Sequence, residues 1–346
     1  MLNNFLKYNL QLSYKGKLHM KKEKKKLKWW QKTLVITGFS IGGLIAFVLS
    51  VILTLNVAKF GIYAEYYSIR SLVCTNHGLN NNFVSQGTAV TDDGKYLITS
   101  GYMSDKTNSR IYITDIKTNK THYVKLKNTS GKDSKAHFGG VAVTGDTIYL
   151  ANSSKVYTLS LSEALTADTL QISQYLEVNS RSSFIFTNDD YLYVGEYYDG
   201  AEYATKNSYT YNGRTYHAIV EKYDFDDTSK PEAVYAIRNR VQGFAVDEKG
   251  GILLSTSSGI NSSGYYYYKT SNIVDTEETY KETNAPLYVL ETANKTIYGP
   301  AMSEDLDYYN GKFYTNFESS SNKYIFGKFF FNSNKIVALN FDKIVK

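Results

Sequence analysis

The sequence predicts an all-β domain built from repeated four-stranded sheets, which follows a single N-terminal membrane-spanning helix. Three observations predict this class. A lysine-rich start is followed by a long uncharged run, and a hairpin pattern then recurs five times. Tyrosine is frequent, with 33 residues, whereas proline contributes only 3. Segments rich in Tyr, Ser and Thr with polar turns favour strands, and 346 residues can bury a large core.

The basic character of the chain comes from its first 33 residues. Ten lysines stand there against Glu23, a net charge of +9, so the remaining residues carry −3 of the total of +6. We therefore attribute the pI near 8.9 to this tail. An acidic C-terminal domain disfavours nucleic acid as a partner. Because the densest lysine cluster opens at Met20, we also predict that residues 1–19 are an upstream extension.

Residues 34–58 contain no charged side chain. At 1.5 Å per residue, such a helix crosses a hydrocarbon core of roughly 30 Å. Trp29 and Trp30 precede it as an interfacial pair, and the lysines hold the N-terminus in the cytoplasm. A cleaved signal peptide is disfavoured, since the run is long and no small-x-small site follows closely. We predict a single-pass plasma-membrane protein with a cytoplasmic tail at 1–33, a linker at 59–65 and an extracellular domain at 66–346.

Two local features near the membrane segment are not interpreted as catalytic. Gly38–Gly42 reads GFSIG and matches G-x-S-x-G, but no strand precedes it to form a nucleophile elbow. The spacing of Gly38 and Gly42 also suits helix pairing, although glycine is common in membrane helices. Cys74 is the only cysteine, which rules out an intrachain disulfide and favours a small strand residue.

Five hairpin repeats follow, each with a small or polar residue, an alternating strand, a tight turn and a second strand. We number them repeats 1 to 5: 85–101, 138–153, 181–197, 241–257 and 303–317. Their turns carry residues that close tight hairpins, namely Asp93-Gly94, Gly145-Asp146, Asp189-Asp190, Lys249-Gly250 and Asn310-Gly311. We accordingly interpret Asp92 and Asp93 as turn residues first, and not as ligands to a metal or substrate.

A third strand follows every hairpin, and a fourth strand follows all but the last. The third strands are predicted at 110–116, 155–161, 218–225, 286–291 and 335–341, and the fourth at 121–126, 170–178, 232–237 and 295–299. Four antiparallel strands recurring every 40–60 residues or so are typical of a β-propeller blade. The blades lie near 84–126, 135–178, 179–237, 238–300 and 301–346.

The spare strand at 66–73 alternates but belongs to no hairpin. We predict that it supplies the outer strand of the fifth blade and closes the ring, which protects an otherwise open sheet edge. The pattern over 66–346 resembles the general β-propeller superfamily, in the broad sense of NHL, WD40-like and YncE-like repeats. The Trp-Asp pairs of WD40 blades are absent, so the resemblance implies no narrower family.

In such an arrangement the first strand of each blade lines a central channel. Alignment on the turns places mostly small residues at one crowded position: Gly87, Gly140, Ser183, Gly243 and, as the exception, Glu304. Polar residues flank it in every repeat. They predict a ligand-binding ring at one mouth of the channel, formed by Gln86, His137, Arg181, Arg240, Gln242, Glu304 and Asp305.

The loops between second and third strands open at the same mouth. The loops at 197–217 and 258–285 are long and rich in tyrosine, and the loop at 318–334 adds phenylalanines. Long loops in compact domains are often functional, and tyrosines stack on sugars or protein surfaces. The predicted contact residues are Tyr209, Tyr211, Tyr216, Tyr265, Tyr266 and Tyr267. The alternative is that part of each loop is an extra hairpin packed on a neighbouring blade.

These features favour a binding or scaffold module for a cell-surface glycan, a peptide or a partner protein, without a cofactor. The alternative is a glycoside hydrolase, which needs two facing carboxylates. Only repeat 5 places acids at the predicted mouth, and Glu196 and Asp199 are weaker substitutes.

A third possibility is Ca²⁺ held by the oxygens of Glu304 and Asp305. Zinc at His137 is disfavoured, since His77, His122 and His217 are scattered in the sequence. No phosphate-binding glycine motif is present.

Overall fold

The computed structural model describes residues 26–172, 174–188 and 190–343. The predictions for most of the lysine tail, for the upstream extension at 1–19 and for Asp189 in the repeat 3 turn lie outside these residues. The described chain divides into two compact parts between Thr54 and Leu55. The second part, from Leu55 onward, is called the C-terminal domain below.

Helix α1, Trp29–Ile62, is 34 residues long and contains no buried residue. It is long and apolar enough to cross a membrane, and its position near the N-terminus also fits a signal sequence. Most of the predicted linker at 59–65 is helical. Helix α1 continues to Ile62, and helix α2, Ala64–Ile69, follows after one residue. Helix α2 forms because Tyr66 and Ile69 are buried in the C-terminal domain.

The remainder of the C-terminal domain is dominated by strands. In chain order they are β1 Arg70–Thr75, β2 Phe83–Val90, β3 Tyr96–Met103, β4 Arg110–Asp115, β5 Thr121–Lys127, β6 Gly140–Thr144, β7 Thr147–Ser160, β8 Thr169–Gln171, β9 Gln174–Thr187, β10 Tyr191–Glu196, β11 Tyr209–Tyr211, β12 Arg214–Tyr216, β13 Ala218–Asp224, β14 Ala233–Ile237, β15 Val241–Val246, β16 Ile252–Thr256, β17 Ser263–Tyr268, β18 Val274–Tyr280, β19 Ala285–Val289, β20 Lys295–Gly299, β21 Ser303–Tyr309, β22 Lys312–Phe317 and β23 Lys335–Leu339. In the described part of the domain two short α-helices interrupt the strands, α3 Leu161–Ala164 and α4 Ile325–Phe330, and there are 3-10 helices at Thr270–Asn272 and Phe341–Lys343.

The five predicted hairpins are all present. Their pairs of strands are β2–β3, β6–β7, the end of β9 with β10, β15–β16 and β21–β22, and all are antiparallel. The repeat 5 turn has the expected geometry: Asn310 and Gly311 both take positive φ, 47° and 75°, as a tight two-residue hairpin turn requires. The first strands contact one another in the closed order β2, β6, β9, β15, β21 and back to β2. The arrangement is propeller-like.

Two long strands combine elements that the sequence predicted separately. Strand β7 contains the second and third strands of repeat 2, which meet at Ser153, a residue with a φ of 60°. Strand β9 contains the fourth strand of repeat 2 and the first strand of repeat 3. The prediction of one strand at 170–178 is therefore wrong at its start, because β8 pairs in parallel with β5 of repeat 1.

The prediction for repeat 4 is wrong at its third strand. The third strand is β17, within the supposed loop at 258–285, and it pairs with β16 and with the fourth strand β20. The strand predicted at 286–291 exists as β19, but it pairs with β14 of repeat 3 and with β18. The consecutive tyrosines of β17 conceal an alternation, because a phenol ring suits both faces of a sheet.

The spare N-terminal strand pairs with the last strand of the chain. Strand β1 is antiparallel to β23, with Arg70 opposite Leu339 and Ser71 opposite Ala338. The strand begins four residues after the predicted start at 66, because residues 64–69 are helical. The sheet order β1–β23–β22–β21 thus joins the two ends of the C-terminal domain.

The hydrophobic core lies between neighbouring sheets. Its largest cluster joins side chains of repeats 3, 4 and 5, such as Phe186, Phe244 and Phe313, and a second cluster joins repeats 1 and 2. Toward the centre the strands themselves are in contact. A Cβ added to Gly87, Gly140 or Gly243 would lie 2.5, 2.6 or 2.5 Å from a backbone nitrogen of the following first strand. Glycine is required at these positions by the close approach of backbones.

We predict that Gly140→Ala lowers the free energy of unfolding by about 1–3 kcal/mol, the usual cost of overpacking a core. The added methyl group would meet the backbone of Phe184 and Ile185, which cannot rotate away. Thermal unfolding of the full chain in detergent measures the effect. Gly61→Ala is the control, because a Cβ there has no neighbour within 4 Å. Equal stability of both variants would contradict the close-packing explanation.

Candidate functional site

A cavity of about 730 Å³ lies at one end of the first strands. Most of its lining is neutral and polar or aromatic, and it also includes charged groups of both signs. The lining residues are Gln86, Tyr102, His137, Gly139, Asn152, Ser153, Arg181, Ser182, Ser183, Tyr197, Asp199, Glu202, Tyr203, Gln242, Ser257, Ser258, Gly259, Met302, Glu318, Lys323 and Tyr324.

The sequence alignment missed one position that every repeat contributes to this cavity. In repeats 2 to 5 the residue after the last paired position of the second strand lines the cavity, and in repeat 1 the lining residue pairs with Val84, one position before the end of β3. These residues are Tyr102, Asn152, Tyr197, Ser257 and Glu318. Alignment at the ends of the second strands, in place of the turns alone, would have identified the set.

The structure brings together only part of the predicted ring. Gln86, His137, Arg181 and Gln242 line the cavity. Arg240 does not, but its Nε lies 2.8 Å from Oδ1 of Asp199, which does. The remaining two members, Glu304 and Asp305, are buried in strand β21 and are absent from the lining.

A hydrogen-bond chain connects three lining residues. The amide Nε2 of Gln86 donates to Oε2 of Glu318 at 2.8 Å and to the carbonyl of Ser85 at 3.2 Å. Since a carbonyl only accepts, the amide orientation is fixed, and Oε1 of Gln86 faces Nε2 of His137 at 2.7 Å. His137 therefore donates from Nε2, and Nδ1 carries the lone pair of the neutral ring.

His137 is held neutral by its surroundings. Protein atoms crowd the ring, which lowers its pKa to about 4, and the nearby charge of Lys323 acts in the same direction. The ring retains exposed surface toward the cavity. It packs on Tyr102, with ring centroids 4.3 Å apart, and Lys323 donates to the hydroxyl of that tyrosine. His137 is thus a neutral hydrogen-bonding group in the cavity wall.

The carboxyl group of Glu318, in the cavity lining, interacts with the buried carboxyl group of Glu304. Burial raises the pKa of Glu318 to about 7, against the opposing hydrogen bond from Tyr324, the charge of Lys323 and the hydrogen bond from Gln86. Burial, and then the charges of Glu318 and Asp305, raise the pKa of Glu304 well above its usual range. Oε1 of Glu304 has no hydrogen-bond partner among the described residues. The two groups therefore resist simultaneous ionisation.

Asp305 and Asp307 are bound by backbone amides. Oδ2 of Asp305 accepts from the nitrogen of Val141 in β6 at 3.2 Å, and Oδ2 of Asp307 accepts from that of Val90 in β2 at 2.7 Å. Burial raises the pKa of Asp305 well above its usual range and that of Asp307 to about 8. These carboxyls join repeat 5 to the first strands of repeats 1 and 2.

This use of Asp305 bears on the Ca²⁺ expectation. Among residues 26–172, 174–188 and 190–343, no group of three or more His, Cys, Asp or Glu is arranged to hold a metal ion. Glu304 and Asp305 remain a predicted Ca²⁺ pair that lacks a third carboxylate in the described chain. Two other described histidines are engaged apart from each other: Nε2 of His122 lies 2.8 Å from the Ala164 carbonyl, and His217 stacks on Tyr198.

The cavity lining also contains an ionised carboxylate, Asp199. Partial burial acts to raise the pKa of Asp199, but hydrogen bonds from Arg240 and Ser258 outweigh it and lower the pKa. Tyr197 and Tyr203 pack edge to face beside it, with centroids 5.3 Å apart. Glu196 is buried away from the cavity lining, where burial raises its pKa to about 7 and Asn207 donates to Oε1 at 2.7 Å.

The predicted loop aromatics do not contact the cavity. Tyr265, Tyr266 and Tyr267 belong to strand β17, where Tyr265 and Tyr267 are buried in the core. Tyr209, Tyr211 and Tyr216 lie in the hairpin β11–β12, which packs on a cluster that includes Tyr280 and Leu287. The extra-hairpin alternative is correct for the loop at 197–217, because packing on this cluster removes apolar surface of the tyrosine rings from water.

Cys74 has no nucleophilic character. Its side chain is buried in β1, and burial raises the pKa of the thiol to about 12. The thiol therefore stays protonated at neutral pH.

We predict that Glu318→Gln stabilises the protein more at pH 8 than at pH 5. A carboxyl whose folded-state pKa is raised to about 7 stabilises the fold below pH 4.5, and this contribution is lost as pH rises through 7. Because glutamine does not ionise, Glu318→Gln avoids that loss and raises the free energy of unfolding at pH 8 by about 1–3 kcal/mol. Thermal unfolding at both pH values measures it, with the exposed Glu248→Gln as control. An equal shift at both pH values would contradict the assignment.

No protein-family model and no curated protein matches the chain. Solved structures with some similarity include hydrazine synthase from Kuenenia stuttgartiensis, with 11% identity, a TM-score of 0.37, and coverage of 68% of this chain and 56% of that chain. The chain thus spans just over half the length of that protein. Aldose sugar dehydrogenase from Streptomyces coelicolor, in its PQQ-bound form, gives 13% identity and a TM-score of 0.45, with coverage of 79% of this chain and 97% of that chain. A nidogen/laminin complex gives 13% identity and a TM-score of 0.36, with coverage of 68% of this chain and 73% of that chain.

Proposed function

We propose that the chain is a membrane-tethered, extracellular five-bladed β-propeller that binds a neutral, polyhydroxylated ligand, a cell-surface glycan, in the cavity at one mouth of its channel. In this assignment α1 crosses the plasma membrane once, with the N-terminus in the cytoplasm. The ring of first strands and the pairing of β1 with β23 support closure after five blades. A peptide or a partner protein is the competing ligand class.

The composition of the cavity wall supports a sugar ligand. Tyr102, Tyr197, Tyr203 and Tyr324 offer aromatic rings, on which the apolar faces of sugars stack. The lining also contains amide and hydroxyl groups that donate and accept hydrogen bonds: Gln86, Asn152, Ser153, Ser182, Ser183, Gln242, Ser257 and Ser258. This combination of aromatic rings and neutral polar groups is the observation on which the proposal depends.

The charges of the cavity favour a neutral ligand. Asp199 is paired with Arg240, and Glu318 is held by Gln86 and has a raised pKa. The charges that remain, on Arg181, Glu202 and Lys323, are of both signs. A strongly charged polymer would meet repulsion on part of this surface.

A glycoside hydrolase is the second candidate, and one observation favours it. Glu318 and Asp199 line the same cavity, and their surroundings push the two pKa values apart, to about 7 for Glu318 and below the usual range for Asp199. A protonated acid and an ionised carboxylate are what glycoside hydrolysis requires.

We predict that Tyr102→Ala and Tyr203→Ala each weaken glycan binding by about tenfold, the cost of one lost aromatic contact. The full chain in detergent is titrated by calorimetry with cello-, chito- and maltohexaose. Tyr175→Ala is the matched control, since Tyr175 is exposed and does not line the cavity. Equal weakening by all three variants, or no binding of any oligosaccharide, would contradict the glycan proposal.

The same incubations separate binding from hydrolysis. Under the binding proposal the hexasaccharides are recovered intact. Shortened products that Glu318→Gln abolishes, while binding persists, would replace the binding proposal by the hydrolase.

A further inference from the structure

Three large apolar side chains are exposed on the short helix α4. Ile325, Phe326 and Phe329 are 60%, 67% and 51% exposed. The tip of the loop between β16 and β17 carries a fourth, Ile260, at 60%. These four residues are called the docking patch below. Single exposed apolar residues are common, but three within five positions of one helix are unusual.

Helix α4 is held firmly on the C-terminal domain, so its exposed rings are not the result of a loose segment. Gly327 is buried against the Ser319 carbonyl, since an added Cβ would lie 2.4 Å from that oxygen. The hydroxyl of Ser319 donates to the carbonyl of Phe331 at 2.9 Å. Nζ of Lys328 donates to Oδ1 of Asn80 at 2.8 Å. The fold therefore fixes one face of the helix and leaves the phenylalanines outward.

Both segments of the docking patch are hydrogen-bonded to the chain at the end of the predicted membrane span. Nδ2 of Asn56 donates to the carbonyl of Phe329 at 2.9 Å. The hydroxyls of Tyr63 and Ser262 are 2.9 Å apart, two residues from Ile260. Asn56 lies within the span predicted at 34–58, and Tyr63 lies five residues beyond it. The patch is thus continuous with the stretch of chain where the membrane surface is predicted.

We propose that Ile260, Ile325, Phe326 and Phe329 insert into the outer leaflet of the bilayer and dock the C-terminal domain on the membrane. The occupant is lipid, and the inference depends on the single-pass topology proposed above. Apolar and aromatic side chains partition into the headgroup boundary without crossing the membrane. The hydrogen-bonded backbone of a helix tolerates that depth better than an irregular loop.

Tethering makes a small patch sufficient. Four side chains would give weak binding to a free protein, but an anchored domain meets the bilayer at high effective concentration. Lys323 and Tyr324, which line the cavity, directly precede Ile325. Docking would therefore place the rim of the cavity beside the lipid headgroups.

The test places an environment-sensitive fluorophore on single cysteines in the full chain, in a Cys74→Ala background. The variants are Phe326→Cys, Ile45→Cys in the middle of the predicted span, and Tyr175→Cys as an exposed aromatic control. Each is reconstituted at one chain per phosphatidylcholine nanodisc, with and without doxyl-labelled phosphatidylcholine. We expect roughly twofold or greater quenching at positions 326 and 45, and none at 175, since a doxyl group quenches only fluorophores within the bilayer.

The outcomes separate the docking proposal from the topology. Quenching at position 45 without quenching at 326 would overturn docking and leave the span intact. Absence of quenching at both would overturn the span and docking together. A change in emission at position 326 that requires two chains per disc would show that a second copy of the chain covers the docking patch. This result would also overturn the proposal of docking on lipid. Circular dichroism confirms that each labelled variant is folded.

Discussion

The close approach of the five first strands is the constraint from which the rest of the C-terminal domain follows. Gly87, Gly140 and Gly243 each face a backbone nitrogen of the next first strand at a distance that leaves no room for a Cβ. No side chain fits at these three positions, and the hydrophobic core lies between neighbouring sheets. The ring of first strands must close without a gap if these contacts are to be kept. The pairing of β1 with β23 provides that closure.

The same crowding determines the chemistry of the site. Repeat 5 lacks the glycine. Its carboxylates Asp305 and Asp307 accept hydrogen bonds from backbone N–H groups in the first strands of other repeats. Buried in this way, they stabilise the fold, and neither of them lines the cavity at the strand ends. There the second strands contribute one side chain from each repeat, and that of repeat 5, Glu318, accepts a hydrogen bond from Gln86, which in turn bonds to His137.

Hairpins, turn residues and the position of the apolar helix could be predicted from the sequence, because each depends on local patterning. Strand pairing over longer distances could not. The alternation at 285–289 identified β19, yet nothing local shows that its partner is β14. Tyrosine was the main source of error in the site: Tyr265 and Tyr267 are core residues, whereas Tyr102 and Tyr324 face the cavity. A residue that suits both environments is placed by tertiary packing alone.

Ring closure is tested most directly by a disulfide between the first and last strands. Ser71 and Ala338 are antiparallel partners 267 positions apart, and paired strands bring Cα atoms to about 4.5–5.5 Å, within the range of a disulfide. In Ser71→Cys/Ala338→Cys on a Cys74→Ala background, closure predicts complete intramolecular oxidation and a raised Tm that reducing agent reverses. Free thiols, or dimers crosslinked between chains, would contradict a closed ring of five repeats.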